Sequence, residues 1–172
     1  MDVKLTTTYW DNGNVYREQW HIDNRILNRL DGPADVFYYK SGKLEREAWI
    51  INGTLHRIDD PALIDYYVSG KLKGERWFSN GVIHRVNKPA YTWYYETGQL
   101  QEEYWYLSGK YHRVDGPAFI TYYESGKVKQ ELWYINGKEL KNKDWLIDNN
   151  LYNKPYDTWT DEEKVLWGLT WV

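Results

Sequence analysis

The stretch YTWYYETGQLQEEYWYLSGKYHRVDGPA, Tyr91–Ala118, decides the fold. It divides into three short segments at Gly98 and Gly109. The first two are rich in aromatic and β-branched residues and join through Thr97-Gly98. The second ends at Ser108-Gly109, a hairpin signal because such turns require positive φ. Two strands and a shorter third are expected. Asp115-Gly116-Pro117-Ala118 reads as a tight connection onward, since proline fixes φ and donates nothing to a ladder.

The stretch recurs. Trp49, Trp77, Trp105 and Trp133 follow one another at 28 residues, with Trp20 a further 29 before Trp49. Gly42, Gly70, Gly98 and Gly126 keep the same step, as do Glu47, Glu75, Glu103 and Glu131, and Pro61, Pro89 and Pro117. Five units align, and a fixed period marks a repeat architecture. The first unit carries one extra residue between Trp20 and Pro33, placed at the turn where Asn24-Arg25 stands for Asn-Gly; the fifth departs where His-Arg would fall, reading Leu140-Lys141. Residues 1–139 are read as the array and 140–172 as a capping segment. Thr160-Asp161-Glu162-Glu163 matches a capping box, so a short helix over Asp161–Leu169 is expected to cover the last open sheet edge.

Composition agrees with a thin fold. The chain of 172 residues holds 11 Trp, 17 Tyr and 3 Phe, yet 27% of its residues are charged. Disordered chains lack aromatics, and thick cores are built from aliphatic residues, so an ordered but shallow sheet is favoured. In the second segment Glu103 and Trp105 point one way, Glu102, Tyr104 and Tyr106 the other, which gives bulky residues on both faces. The expected fold is all-β, an elongated antiparallel single-sheet array of β-hairpins with a short helical C-terminal cap. A net charge of -3 gives no general attraction to phosphate backbones, so no nucleic-acid partner is expected. The absence of Cys excludes disulfides, thiolate metal ligands and thiol catalysis. The N-terminus lacks an apolar signal stretch, and a cytoplasmic location is expected.

The frame Tyr-Tyr-x-Ser-Gly-Lys-Leu-x-x-Glu-x-Trp-x-x-Asn-Gly at Tyr38–Gly53, varied at Tyr66–Gly81, resembles MORN repeats, especially their divergent second type. The His-Arg-x-Asp-Gly-Pro-Ala segment at His112–Ala118 is similar to the variant found in repeat proteins of large DNA viruses and some bacteria, for which the location would be the host cytoplasm. The resemblance covers residues 9 to 137. It implies a scaffold or adaptor, with membrane-lipid binding as a further property of some relatives. The period is longer than the usual MORN unit, and the third strand is the expected use of the extra residues.

Candidate chemistry is weighed against this frame. His56, His84 and His112 each precede an Arg, but equivalent atoms of successive units stand roughly 10 Å apart, too far for ligands that approach zinc to about 2.1 Å. Structural pairing with carboxylates or backbone carbonyls is expected, and no metal or cofactor. The Glu column repeats in every unit, whereas an active site is normally unique. No enzyme is expected. Tyr39, Tyr67, Tyr95 and Tyr123 form a column that either packs the sheet or stacks on sugar rings; packing is favoured. Specificity is expected where columns vary, at exposed positions Asp65, Trp93 and Thr121 before the Tyr pairs and at Ile50, Phe78, Tyr106 and Tyr134 after the Trp column. The expected partner is another protein, with a glycan or membrane lipid as alternatives. The uncapped first strand, near Thr6–Trp10, adds homo-oligomer formation through the N-terminal sheet edge.

Overall fold

The computed structural model describes residues 3–22, 26–140 and 158–160. The first unit contributes β1 (Lys4–Tyr9), β2 (Val15–Ile22) and β3 (Ile26–Leu27); the second β4 (Asp35–Tyr38), β5 (Leu44–Ala48), β6 (Ile50–Ile51) and β7 (Thr54–Leu55). The third holds β8 (Leu63–Tyr66), β9 (Leu72–Arg76), β10 (Phe78–Ser79) and β11 (Val82–Ile83), and the fourth β12 (Tyr91–Tyr94), β13 (Leu100–Tyr104), β14 (Tyr106–Leu107) and β15 (Lys110–Tyr111). The fifth ends the array with β16 (Phe119–Tyr122), β17 (Val128–Leu132), β18 (Tyr134–Ile135) and β19 (Lys138–Glu139). The long strands form one antiparallel 11-stranded sheet in the order β1-β2-β4-β5-β8-β9-β12-β13-β16-β17, with β3 on β2. Each later unit adds a separate two-stranded ribbon, from β6-β7 to β18-β19.

Turn chemistry sets this register. In the fourth unit the Gly98 N–H donates to the Tyr95 carbonyl at 2.8 Å and Gly98 takes φ 93°, a conformation that favours glycine. The pairing then slips by one residue, from Trp93↔Glu102 to Tyr94↔Leu100. Ribbon turns hold two residues, both with positive φ, as at Ser108 (φ 50°) and Gly109 (φ 78°). In the first unit three positions separate paired Ile22 and Ile26, which locates the extra residue at that turn.

Every unit after the first differs from expectation in having four strands. The segment from Gln99 to Gly109 is split at Trp105 into β13 and β14. Proline explains the split. The Ala90 N–H still donates to the Tyr104 carbonyl at 2.9 Å, but the residue before it is Pro89, which has no N–H to continue the ladder; in the first unit Leu5 and Lys4 stand there and β2 runs on to Ile22. The chain therefore leaves the sheet and pairs with itself. Ribbons then stack on one another, the Gly81, Gly109 and Gly137 N–H groups donating to the Leu55, Ile83 and Tyr111 carbonyls at 2.8, 2.9 and 2.8 Å.

The interior is shallow. Ala34, Ala62, Ala90 and Ala118 are 0% exposed, and a small cluster joins Ala34, Ala48, Ile50 and Leu63 to Leu27, Leu55 and Phe78. Stability accumulates between neighbours, as in other stacked repeats. The expected helix over Asp161–Leu169 lies outside the described residues.

Candidate interaction surface

Strand alternation gives the sheet two faces with different contents. One carries the repeated residues, and the frame engages most of them. Arg29, Arg57, Arg85 and Arg113 lie over Trp20, Trp49, Trp77 and Trp105 at 4.2, 3.8, 3.5 and 3.8 Å from the ring centroids. Each also donates from Nη1 to the carbonyl of the proline four residues on, at 3.4, 3.3, 3.2 and 3.4 Å. The hydroxyls of Tyr38, Tyr66 and Tyr122 donate to Glu18, Glu47 and Glu103 of the preceding unit at 2.7, 2.9 and 3.2 Å. Burial first, and the adjoining carboxylates second, push these three phenols up to about 12.

Histidine serves the ribbons and does so as an acceptor, unlike the carbonyl or carboxylate pairing expected. Nδ1 of His56, His84 and His112 receives the N–H of Asn80, Ser108 and Asn136 in the following turn at 3.1, 3.0 and 3.1 Å. Burial holds His112 below the ordinary histidine range. Among the described residues no group of His, Asp or Glu is arranged to hold a metal ion.

The other face holds the residues that differ from unit to unit. Along adjacent strands one row runs Arg17, Phe37, Arg46, Asp65, Gly74, Trp93, Glu102, Thr121 and Gln130. Its first half is ionic. Arg17 grips Asp35 through two bonds of 2.7 Å, and Asp65 accepts from Arg46 at 2.6 Å and also from Arg76. Asp65, expected to be exposed, is 3% exposed because arginines from both neighbouring strands close over it.

The second half is aromatic. Trp93 stacks on Tyr91 (5.8 Å, 7°), Tyr91 on Tyr104 (4.6 Å, 9°) and Tyr104 on Phe119 (4.6 Å, 8°). Glu102 accepts the Tyr104 hydroxyl at 2.6 Å. The Trp93 ring lies flat on Gly74, where a Cβ would stand 1.9 Å from Cε3. Lys73 and Arg76 hold their cationic groups 5.5 and 5.6 Å from the same ring.

The structure sorts the sequence-derived candidates. Tyr39, Tyr67 and Tyr95 each donate a hydroxyl proton to a backbone carbonyl of the next unit, at Tyr66, Tyr94 and Tyr122, at 2.7, 2.7 and 2.9 Å. Trp10 fills the same place in the first unit, its Nε1 donating to Tyr38 at 3.0 Å. Tyr123, the last of the column, is 53% exposed. Tyr106 and Tyr134 pack around Tyr111 at 4.4 and 5.1 Å, and Phe78 packs on the core cluster. Ile50, expected to be exposed, is buried within that cluster because the ribbon turns it inward. Trp93 and Thr121 stay half-exposed. Gly74, Arg76, Tyr91 and Glu102 were not singled out from the sequence. Gly74 carried a signal, standing in a strand where other units place Arg46, Glu102 and Gln130.

A family model for the MORN repeat variant matches residues 90–108 and 118–136. A search of the curated proteins finds no significant match. Each matched span begins at the buried alanine and ends inside the ribbon turn, so the match follows the structural unit. MORN repeats are generally modules of protein or membrane interaction and not enzymes. The matched units share their hairpin and ribbon turns with the units before them, and the first of them its Arg113–Trp105 stack as well, so residues 90–136 carry two MORN-type repeats.

Proposed function

We propose that the protein is a non-catalytic scaffolding module that binds another protein through the unit-variable face. One observation carries this reading. The repeated Trp, Arg and Pro groups and the inward-turned tyrosines are engaged in the frame, so the differences between units collect on one face, from Arg17 to Thr121. That face mixes arginines, buried carboxylates and a run of stacked rings, and aromatic residues and arginine are the types enriched at protein interfaces. A glycan ladder is less well supported, because Tyr39, Tyr67 and Tyr95 spend their hydroxyls on the next unit.

The segment from Leu140 onward completes the reading as a helical cap on the last ribbon, β18-β19, which leaves the β17 edge uncovered. Trp133, Ile135 and Leu140 are 7%, 1% and 5% exposed although no sixth copy of the frame follows in the sequence. The test is photo-crosslinking in the native cell with a reactive residue at Arg46 or Thr121, and at Ile58, 76% exposed in a connecting loop, as control. A protein adduct formed from Arg46 or Thr121 and absent from Ile58 is expected. Equal adducts from all three positions, or none, would refute the assignment.

A further inference from the structure

We propose that the sheet continues between molecules, β17 of one copy pairing with β1 of the next, head to tail. This does not depend on what the variable face binds. The argument starts from the junction between units, which the chain builds four times: β2 with β4, β5 with β8, β9 with β12 and β13 with β16. In each, the second long strand of one unit meets the first long strand of the next, as in Glu102↔Thr121, Glu103↔Ile120 and Tyr104↔Phe119.

The two ends present the two halves of that junction. Among the described residues β17 is a second long strand paired with β16 alone, and β1 is a first long strand paired with β2 alone. Carrying the internal register across the gap sets Gln130 opposite Thr8, Glu131 opposite Thr7 and Leu132 opposite Thr6. The hairpins confirm the equivalence, since Thr6, Thr7 and Thr8 meet Gln19, Glu18 and Arg17 as Phe119, Ile120 and Thr121 meet Leu132, Glu131 and Gln130.

Side chains at both ends match the internal pattern. Tyr39, Tyr67 and Tyr95 donate to the first tyrosine carbonyl of the next unit; Tyr123 is next in this column and its hydroxyl has no partner among the described residues. Across the gap its acceptor is the Tyr9 carbonyl. Tyr38, Tyr66 and Tyr122 donate to the glutamate of the preceding unit, and Tyr9, their counterpart, is 63% exposed. Across the gap it meets Glu131, whose carboxylate accepts more than one bond. Both edges are exposed: five of six β1 residues and four of five β17 residues lie at the surface. An uncovered strand is a template for pairing. Because the junction is heterologous and repeats a translation along the sheet, it yields open chains of copies and not a closed pair.

The absence of Cys in the sequence gives a direct test. The full-length T8C and Q130C variants, both at exposed positions, are mixed under a thiol-disulfide buffer. Directly opposed positions on antiparallel strands fall within disulfide reach. The mixed T8C–Q130C disulfide is expected to exceed either homodisulfide severalfold, and Y123F to lower its yield about fivefold, the effect of one lost hydrogen bond. The average mass of the unmodified chain should rise with concentration without stopping at the dimer. Monomer at all concentrations, a statistical mixture of disulfides, or dominance of T8C or Q130C homodisulfides would each overturn the proposal.

Discussion

Glycine 74 offers a test whose sign changes with its neighbour. In an ordinary strand, Gly→Ala stabilises by about 0.5–1 kcal/mol because glycine loses more backbone freedom on folding. Gly74 is not among the positive-φ positions, so alanine meets no backbone obstacle there. The obstacle is Trp93, whose Cε3 and Cζ3 would lie 1.9 and 2.3 Å from the new Cβ. The ring must swing away. It then loses the stack on Tyr91, about 0.5–1.5 kcal/mol, and the approach of Lys73 and Arg76, each about 0.5 kcal/mol at a half-exposed site. Set against the backbone gain, Gly74→Ala should destabilise by about 1 kcal/mol. In a Trp93→Val background the obstacle is gone, and the same substitution should stabilise by about 0.5 kcal/mol or more. Urea unfolding followed by far-ultraviolet circular dichroism on the four proteins of this cycle measures the difference. Gly74→Ala raising stability equally in both backgrounds would show that the ring does not rest on the glycine.

Three further outcomes follow from the frame. Tyr67→Phe should cost about 1 kcal/mol by leaving the Tyr94 carbonyl without its donor, whereas Tyr123→Phe should stay within about 0.5 kcal/mol in dilute monomer; thermal melts compare them. His112 accepts from Asn136 and burial lowers its pKa, so stability is full above 6.5 and falls as pH drops below that value. His112→Asn should flatten this part of the pH profile while keeping an acceptor, because Asn28 already receives the Asn52 N–H in the first unit at 2.8 Å. At the alkaline end, Tyr38, Tyr66 and Tyr122 are raised from 10 to about 12, so the fold should weaken as pH rises from 10 through 12, with a late step in an ultraviolet tyrosinate titration.

Much of the architecture was legible because it repeats. The spacing of Trp49, Trp77, Trp105 and Trp133 gave the period, and Gly98 and Gly109 marked the turns that give the chain its hairpins. The break at Trp105 was not read, since two-residue strands have no periodicity of their own; the signal lay in Pro89, at the head of the same unit, which ends the ladder from the neighbouring strand. The burial of Asp65 was equally hidden. It depends on Arg46 in the strand before and Arg76 in the strand after, a coincidence of two registers that no single segment displays. The histidine acceptor role was missed for a related reason, because its partner is a backbone group one unit away.

Departures from the columns divide by what the next unit requires. Trp10 stands where Tyr39, Tyr67 and Tyr95 stand later, yet it makes the same bond to the following unit, from an indole nitrogen instead of a hydroxyl. Asn28 replaces histidine and still accepts the turn N–H beyond it. Leu140 replaces histidine at the other end, and there an apolar side chain is buried instead. These substitutions are explained by the frame. Gly74 and Trp93 are not: neither makes a bond that other units make at those positions, and together they set a large ring flat against a bare backbone on the variable face. The stack on Tyr91 and the approach of Lys73 and Arg76 offset the glycine penalty of this pair, and the half-exposed indole it leaves on the variable face is where the proposed binding role is tested first.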